Sequence, residues 1–151
     1  MKKIYRVISV VLVAFFAMTA MPEAKATTCG EAIAAYCKAY EAVGKSFEKI
    51  KSMKDVESFD AEKVMMESGL KDVDDPKGPC PLSPDYKERL NDAFLKMVTS
   101  MAFKFCELAG TPNNQDILYL FDDLATKHEK IVEKSRTIDD YMKNLDELQW
   151  F

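Results

Sequence analysis

The sequence predicts an all-α protein: an antiparallel helical bundle of three long helices and one short one, stapled by two disulfides. Three observations carry this. Apolar residues recur at spacings of three and four in several long segments, the helical period. No segment alternates in the period of two that would support strand pairing. All four cysteines (Cys29, Cys37, Cys80 and Cys106) lie beyond an N-terminal leader of the secretory kind.

That leader comes first in the chain. Lys2, Lys3 and Arg6 form a positive start, Ile8 to Ala20 is a largely apolar run, and Ala24-Lys25-Ala26 offers a small-x-small cleavage site. Residues 1–26 therefore read as a signal peptide, too short and wrongly flanked for a membrane span. They leave a helical-bundle domain over 27–151. The expected location is periplasmic or secreted, in a bacterial cell envelope. Four cysteines in an exported chain read as two disulfides.

The first helix is expected from Thr28 to about Lys54. Thr28 and Glu31 have capping-box spacing. Ile33, Tyr36, Cys37, Tyr40, Val43, Phe47, Ile50 and Met53 repeat on one face. Ser58 and Asp60 are caps for a short helix over Ala61 to Ser68, stopped by Gly69; one continuous helix from Thr28 to Ser68 is the alternative, because no Gly or Pro forces a break near Asp55. Leu70 to Ser83 is irregular, with Pro76, Gly78, Pro79 and Pro81. A loop this long in a small domain needs a reason, and Cys80 offers one by tying it to the bundle.

Pro84 to Ala109 is the most apolar helix beyond the leader. Ser83 is its N-cap and Pro84 fits its first turn. Leu90, Phe94, Met97, Val98, Met101, Phe105 and Leu108 share one face, while Arg89, Asp92, Lys96, Ser100, Lys104 and Glu107 lie opposite. Phe103 points into the polar stripe, and Gly110 ends the helix. Thr111 and Pro112 are expected to open the last helix. Its seam runs through Ile117, Phe121, Leu124, His128, Ile131, Ser135, Ile138, Met142 and Leu145. A break is expected near Ser135 to Thr137, where Thr137 and Asp140 form another cap pair. Trp150 and Phe151 are expected to close the bundle end.

Helix geometry limits the disulfides. Cys29 and Cys37 on one helix are about 12 Å apart, and a disulfide needs less than about 7 Å between Cα atoms. Each must then take Cys80 or Cys106. Cys29–Cys106 with Cys37–Cys80 is favoured, because it makes the first and central helices antiparallel neighbours overlapping along most of their length. The other pairing makes them parallel.

Function is less legible. The chain carries 21 Lys and Arg against 25 Asp and Glu. Loss of the leader removes four basic groups and one acid, leaving 17 against 24 and a net charge near −7. That disfavours nucleic acid or anionic lipid as a partner. No later segment is apolar enough to span a membrane. There is no Walker-type or GxGxxG loop. Asp72, Asp74 and Asp75 fail the EF-hand pattern, because Pro76, Lys77 and Ser83 stand where ligands or glycine are required. A haem reading lacks a CxxCH motif and an early methionine in the first helix. No cofactor is expected. His128, the sole histidine, occupies a seam position and reads as a half-buried packing residue. Met97 and Met101 share a face that suits core filling better than thioether ligation of copper. His128, Phe103, Met97 and Met101 are the positions open to a binding role. The leading expectation is a non-enzymatic module that binds an unknown protein partner, of inhibitor or immunity type. A small-molecule or metal carrier using the bundle interior is the first alternative. A small hydrolase with an acidic pocket around Asp122, Asp123 and Glu129 is the second.

Overall fold

The computed structural model describes residues 27–72, 76 and 78–149. The signal-peptide reading, the loop acids Asp74 and Asp75, and the closing role of Trp150 and Phe151 lie outside the described residues. Within them the chain forms six α-helices: α1 (Cys29–Glu48), α2 (Met53–Glu57), α3 (Ala61–Glu67), α4 (Pro84–Leu108), α5 (Gln115–Lys134) and α6 (Ile138–Asn144). Short 3-10 turns follow at Leu70–Asp72 and Leu145–Gln149. Three of these helices are long and three are short, in place of the expected three long and one short. Only an isolated bridge between Pro81 and Thr137 has strand geometry among the described residues.

Local chemistry sets most boundaries. The Thr28 hydroxyl accepts from the Glu31 amide at 3.2 Å, and the Glu31 carboxylate accepts from the Thr28 amide at 2.9 Å. Both donors would otherwise lack intrahelical partners. Ser83 caps α4 by accepting from the Tyr86 amide, and Thr137 caps α6 by accepting from the Asp140 amide. Two expected boundaries move. The first helix stops at Glu48 because the Ser52 side chain accepts from the Asp55 amide and starts a separate turn of helix, a competition serine often wins. The fifth helix starts at Gln115, not Pro112. Asn113 adopts a left-handed φ of 59°, and Asn114 caps α5 by accepting from the Asp116 and Ile117 amides. Proline suits the early position of the turn before it as well as a first helical turn.

The relative directions of the helices differ from expectation. Gly30 of α1 lies beside the Tyr86 hydroxyl at the start of α4, and Gly44, near the end of α1, lies against the Met97 backbone. The two helices therefore advance together and are parallel. A Cβ built at Gly44 would stand 3.3 Å from the Met97 Cα, so the missing side chain lets the backbones approach closely. α5 then returns antiparallel to α4: Lys87 reaches the Glu133 carbonyl, and Asn91 and Phe94 meet His128.

The disulfides change with this geometry. Cys29 bonds Cys80 across a Cα–Cα distance of 5.6 Å, while Cys37 and Cys106 are free thiols. The favoured Cys29–Cys106 and Cys37–Cys80 pairs do not form. The chain between Glu48 and Pro84, with α2 and α3 folded into it, carries Cys80 back to the start of α1. Cys106 stands near the far end of α4. The Cys80 loop is also pinned to the α5–α6 junction, where the Leu82 amide donates to the Arg136 carbonyl and the Ile138 amide donates to the Cys80 carbonyl. One short segment thus ties together the first helix and the last two.

The core lies among α1, α4 and α5. Ile33, Tyr40, Val43, Phe47, Leu90, Phe94, Met97 and Phe121 are buried. α3 packs on α1 and buries Met65, and Phe59 packs edge-on against Phe47 at 5.3 Å. No helix among the described residues is long and apolar enough to cross a membrane.

Candidate functional site

His128 is fully buried, deeper than a seam position predicts. Its ring stacks on Phe94 with centroids 3.8 Å apart and planes 1° from parallel. Both nitrogens have partners. Nδ1 lies 3.1 Å from Asn91 Oδ1, and Nε2 lies 2.7 Å from the Tyr141 hydroxyl, which lies 2.6 Å from the Tyr40 hydroxyl. The chemistry of these atoms fixes the proton direction. An amide oxygen only accepts, so Nδ1 carries the hydrogen and donates to Asn91. Nε2 of the neutral ring then accepts from Tyr141, and Tyr141 accepts from Tyr40. α1, α4, α5 and α6 each contribute one residue to this chain of hydrogen bonds.

Burial governs its electrostatics. Desolvation of the charged form pushes the His128 pKa down to about 3, because an imidazolium here has no carboxylate to offset its loss of water. Burial also pushes both phenols above their ordinary value. No buried side-chain nitrogen or oxygen lacks a partner among the described residues. The arrangement holds four helices in one register with no buried polar atom unpaired among the described residues, which is how a buried network specifies a unique core. That geometry suits an architectural role.

Met97 and Met101 are likewise core residues, each about 1% exposed. Met97 also lines a shallow groove of about 700 Å³ between α1 and α4, where Cys37 and the Glu41–Lys45 ion pair lie. The Cys37 thiol donates to the Arg89 carbonyl at 3.4 Å, and burial pushes its pKa up, away from the reactive thiolate. No cluster of three or more His, Cys, Asp or Glu is placed to hold a metal among the described residues. Of the acids proposed for a hydrolase, Asp123 pairs with Lys127 at 2.7 Å, Glu129 is exposed, and Asp122 stands on the rim of a second groove.

That second groove runs between α4 and α5, with a volume of about 410 Å³. Its floor is Val98, Ala102 and Phe121, all buried. Leu95, Phe103 and Tyr119 stand along it, 50%, 53% and 70% exposed. These are the large exposed hydrophobic residues of the described chain, and all three line the same groove. Scattered single apolar residues on a surface are ordinary, whereas a cluster beside an apolar floor is a candidate contact site.

Phe103 stands out in the sequence; Leu95 and Tyr119 do not. Leu95, Thr99 and Phe103 form a second stripe at i, i+4 and i+8 beside the buried one, and that spacing is the available signal. Tyr119 belongs to another helix, and only the antiparallel packing of α5 on α4 brings it to them. No protein family, curated sequence or solved structure matches this chain.

Proposed function

We propose that this protein is an exported, non-enzymatic binding module of the bacterial cell envelope that engages a protein partner through the groove between α4 and α5. The convergence of Leu95, Phe103 and Tyr119 on one apolar floor carries the reading. An apolar patch held out of the core lowers solubility without adding to stability, so its retention fits a surface that is covered in use. The Cys29–Cys80 bridge supports an oxidising compartment, in keeping with the leader read over residues 1–26. The groove is shallow and carries no nucleophile–base pair, which favours recognition over chemistry.

Site-specific photo-crosslinking in the native envelope tests it. A photoreactive residue replaces Leu95, Phe103 or Tyr119, with exposed Lys38 and Lys54 as control positions. Discrete adducts at the three groove positions and none at the controls are expected. Equal adducts at all five positions, or none at the groove, refute the reading.

A further inference from the structure

Resting on that reading, we infer that the occupant of the α4/α5 groove is a basic amphipathic helix of another protein, seated by apolar anchors and oriented by the carboxylate of Asp122. Three features of the groove point to this ligand.

The first is shape. Two antiparallel helices leave a straight trough, and a third helix fills such a trough by laying its apolar stripe along it. Leu95 and Phe103 are eight residues apart on α4, about 12 Å at 1.5 Å per residue. An incoming helix with anchors at i, i+3 or i+4, and i+7 covers nearly the same length. Val98, Ala102 and Phe121 give the incoming stripe a buried apolar floor to lie against.

The second is chemistry. Thr99 and Gln115 are the uncharged polar residues of the lining, so most of what the ligand meets is hydrocarbon or aromatic. Leu95, Phe103 and Tyr119 offer the large, partly rigid contact area from which binding hot spots are built.

The third is charge. Among the described residues that line the groove, Asp122 alone is charged. Glu129 lies seven residues further on α5, on the same helical face, and is exposed. Neither forms an ion pair among the described residues. The whole chain carries a formal charge of −4. A ligand with Lys or Arg flanking its apolar stripe complements this rim. A second copy of the same chain carries the same net negative charge and is disfavoured by the same electrostatics.

A pair of model peptides decides the matter. One is an 18-residue amphipathic helix with leucines at alternate spacings of three and four and lysines flanking them. The other has the same leucines with glutamates in place of the lysines. Fluorescence anisotropy of the labelled peptides measures binding to the disulfide-intact protein at low salt. The lysine peptide is expected to bind at least about tenfold more tightly than the glutamate peptide. Phe103→Ser is expected to weaken it by about thirtyfold. Asp122→Lys is expected to narrow or reverse the preference between the two peptides. Both residues are exposed, so circular dichroism should show an unchanged fold.

Equal affinity for the two peptides, or a preference that survives Asp122→Lys, overturns the charge assignment. Binding insensitive to Phe103→Ser overturns the location. Concentration-dependent dimerisation abolished by Phe103→Ser identifies a second copy as the occupant and overturns the proposal. If neither peptide binds while groove crosslinks persist in the envelope, the ligand chemistry is wrong and the interaction surface stands. If both fail, the surface itself is refuted.

Discussion

Acid should destabilise this protein through His128 in a way that one substitution isolates. The buried ring has a pKa of about 3 in the fold and an ordinary value near 6.5 when unfolded. Between those two values the unfolded chain binds a proton at this site that the folded chain does not. The stability of the neutral, hydrogen-bonded form is complete above pH 6.5 and is lost as the pH falls toward 3. The limiting slope is about 1.4 kcal/mol per pH unit. The loss is about 2 kcal/mol at pH 5 and about 3 kcal/mol at pH 4. Carboxylates also titrate in the lower part of this range, so the informative quantity is the difference from a His128→Gln variant, in which they remain. Urea unfolding followed by far-ultraviolet circular dichroism between pH 4 and 8 gives both curves. The wild type minus variant difference should be flat above pH 7.5 and then fall by the amounts above. Parallel curves from pH 7 to 4 would refute the assignment. So would a His128 proton resonance in the folded state titrating with a midpoint near 6.

Other perturbations test other parts of the structure. Tyr141→Phe removes the hydroxyl between Tyr40 and His128, so it should cost about 1–3 kcal/mol in urea unfolding, although the ring shape is kept. Cys80→Ala opens a bridge spanning 51 residues of sequence. It should lower stability by up to about 4 kcal/mol relative to the oxidised protein, the cost expected for a loop of this size; an unchanged midpoint would deny the Cys29–Cys80 pair. Gly44→Leu forces a side chain into the Met97 backbone and should cost about 1–3 kcal/mol through overpacking, even though leucine is the better helix former. Phe103→Ser should shift stability by no more than about 0.5 kcal/mol, since the ring is half exposed and outside the core.

Some of these expectations were visible in the chain because the interactions behind them are local. The Thr28–Glu31 capping box, the Ser83–Pro84 start and the Thr137–Asp140 cap each join residues no more than three positions apart and appear where the residue types place them. The α5–α6 break falls at Ser135 to Thr137 for the same reason. Helical period likewise named the buried faces of α1, α4 and α5. It placed His128 on the inner face but not how deeply, because depth depends on the Phe94 ring and the Asn91 amide brought from α4. Of the groove residues, Phe103 was conspicuous as an aromatic ring in a polar stripe, and Asp122 as an acid. Leu95 and Tyr119 have no feature in the sequence that singles them out.

The sequence by itself determined the all-α class, most helix ends and the set of side chains that must leave water. Those follow from hydrogen bonds within a turn and from an apolar period that holds whatever the neighbour is. Tertiary structure alone decided that α4 runs parallel to α1 and that Cys29 takes Cys80 while Cys37 and Cys106 stay free. It also brought together Tyr40 and Tyr141, 101 residues apart, and His128 and Asn91, 37 apart. An apolar stripe is buried equally well against a parallel or an antiparallel neighbour, so periodicity fixes which face turns inward and leaves helix direction open. Direction came from the close approach at Gly44 and the return of the Cys80 loop to the start of α1, both contacts between residues distant in the chain.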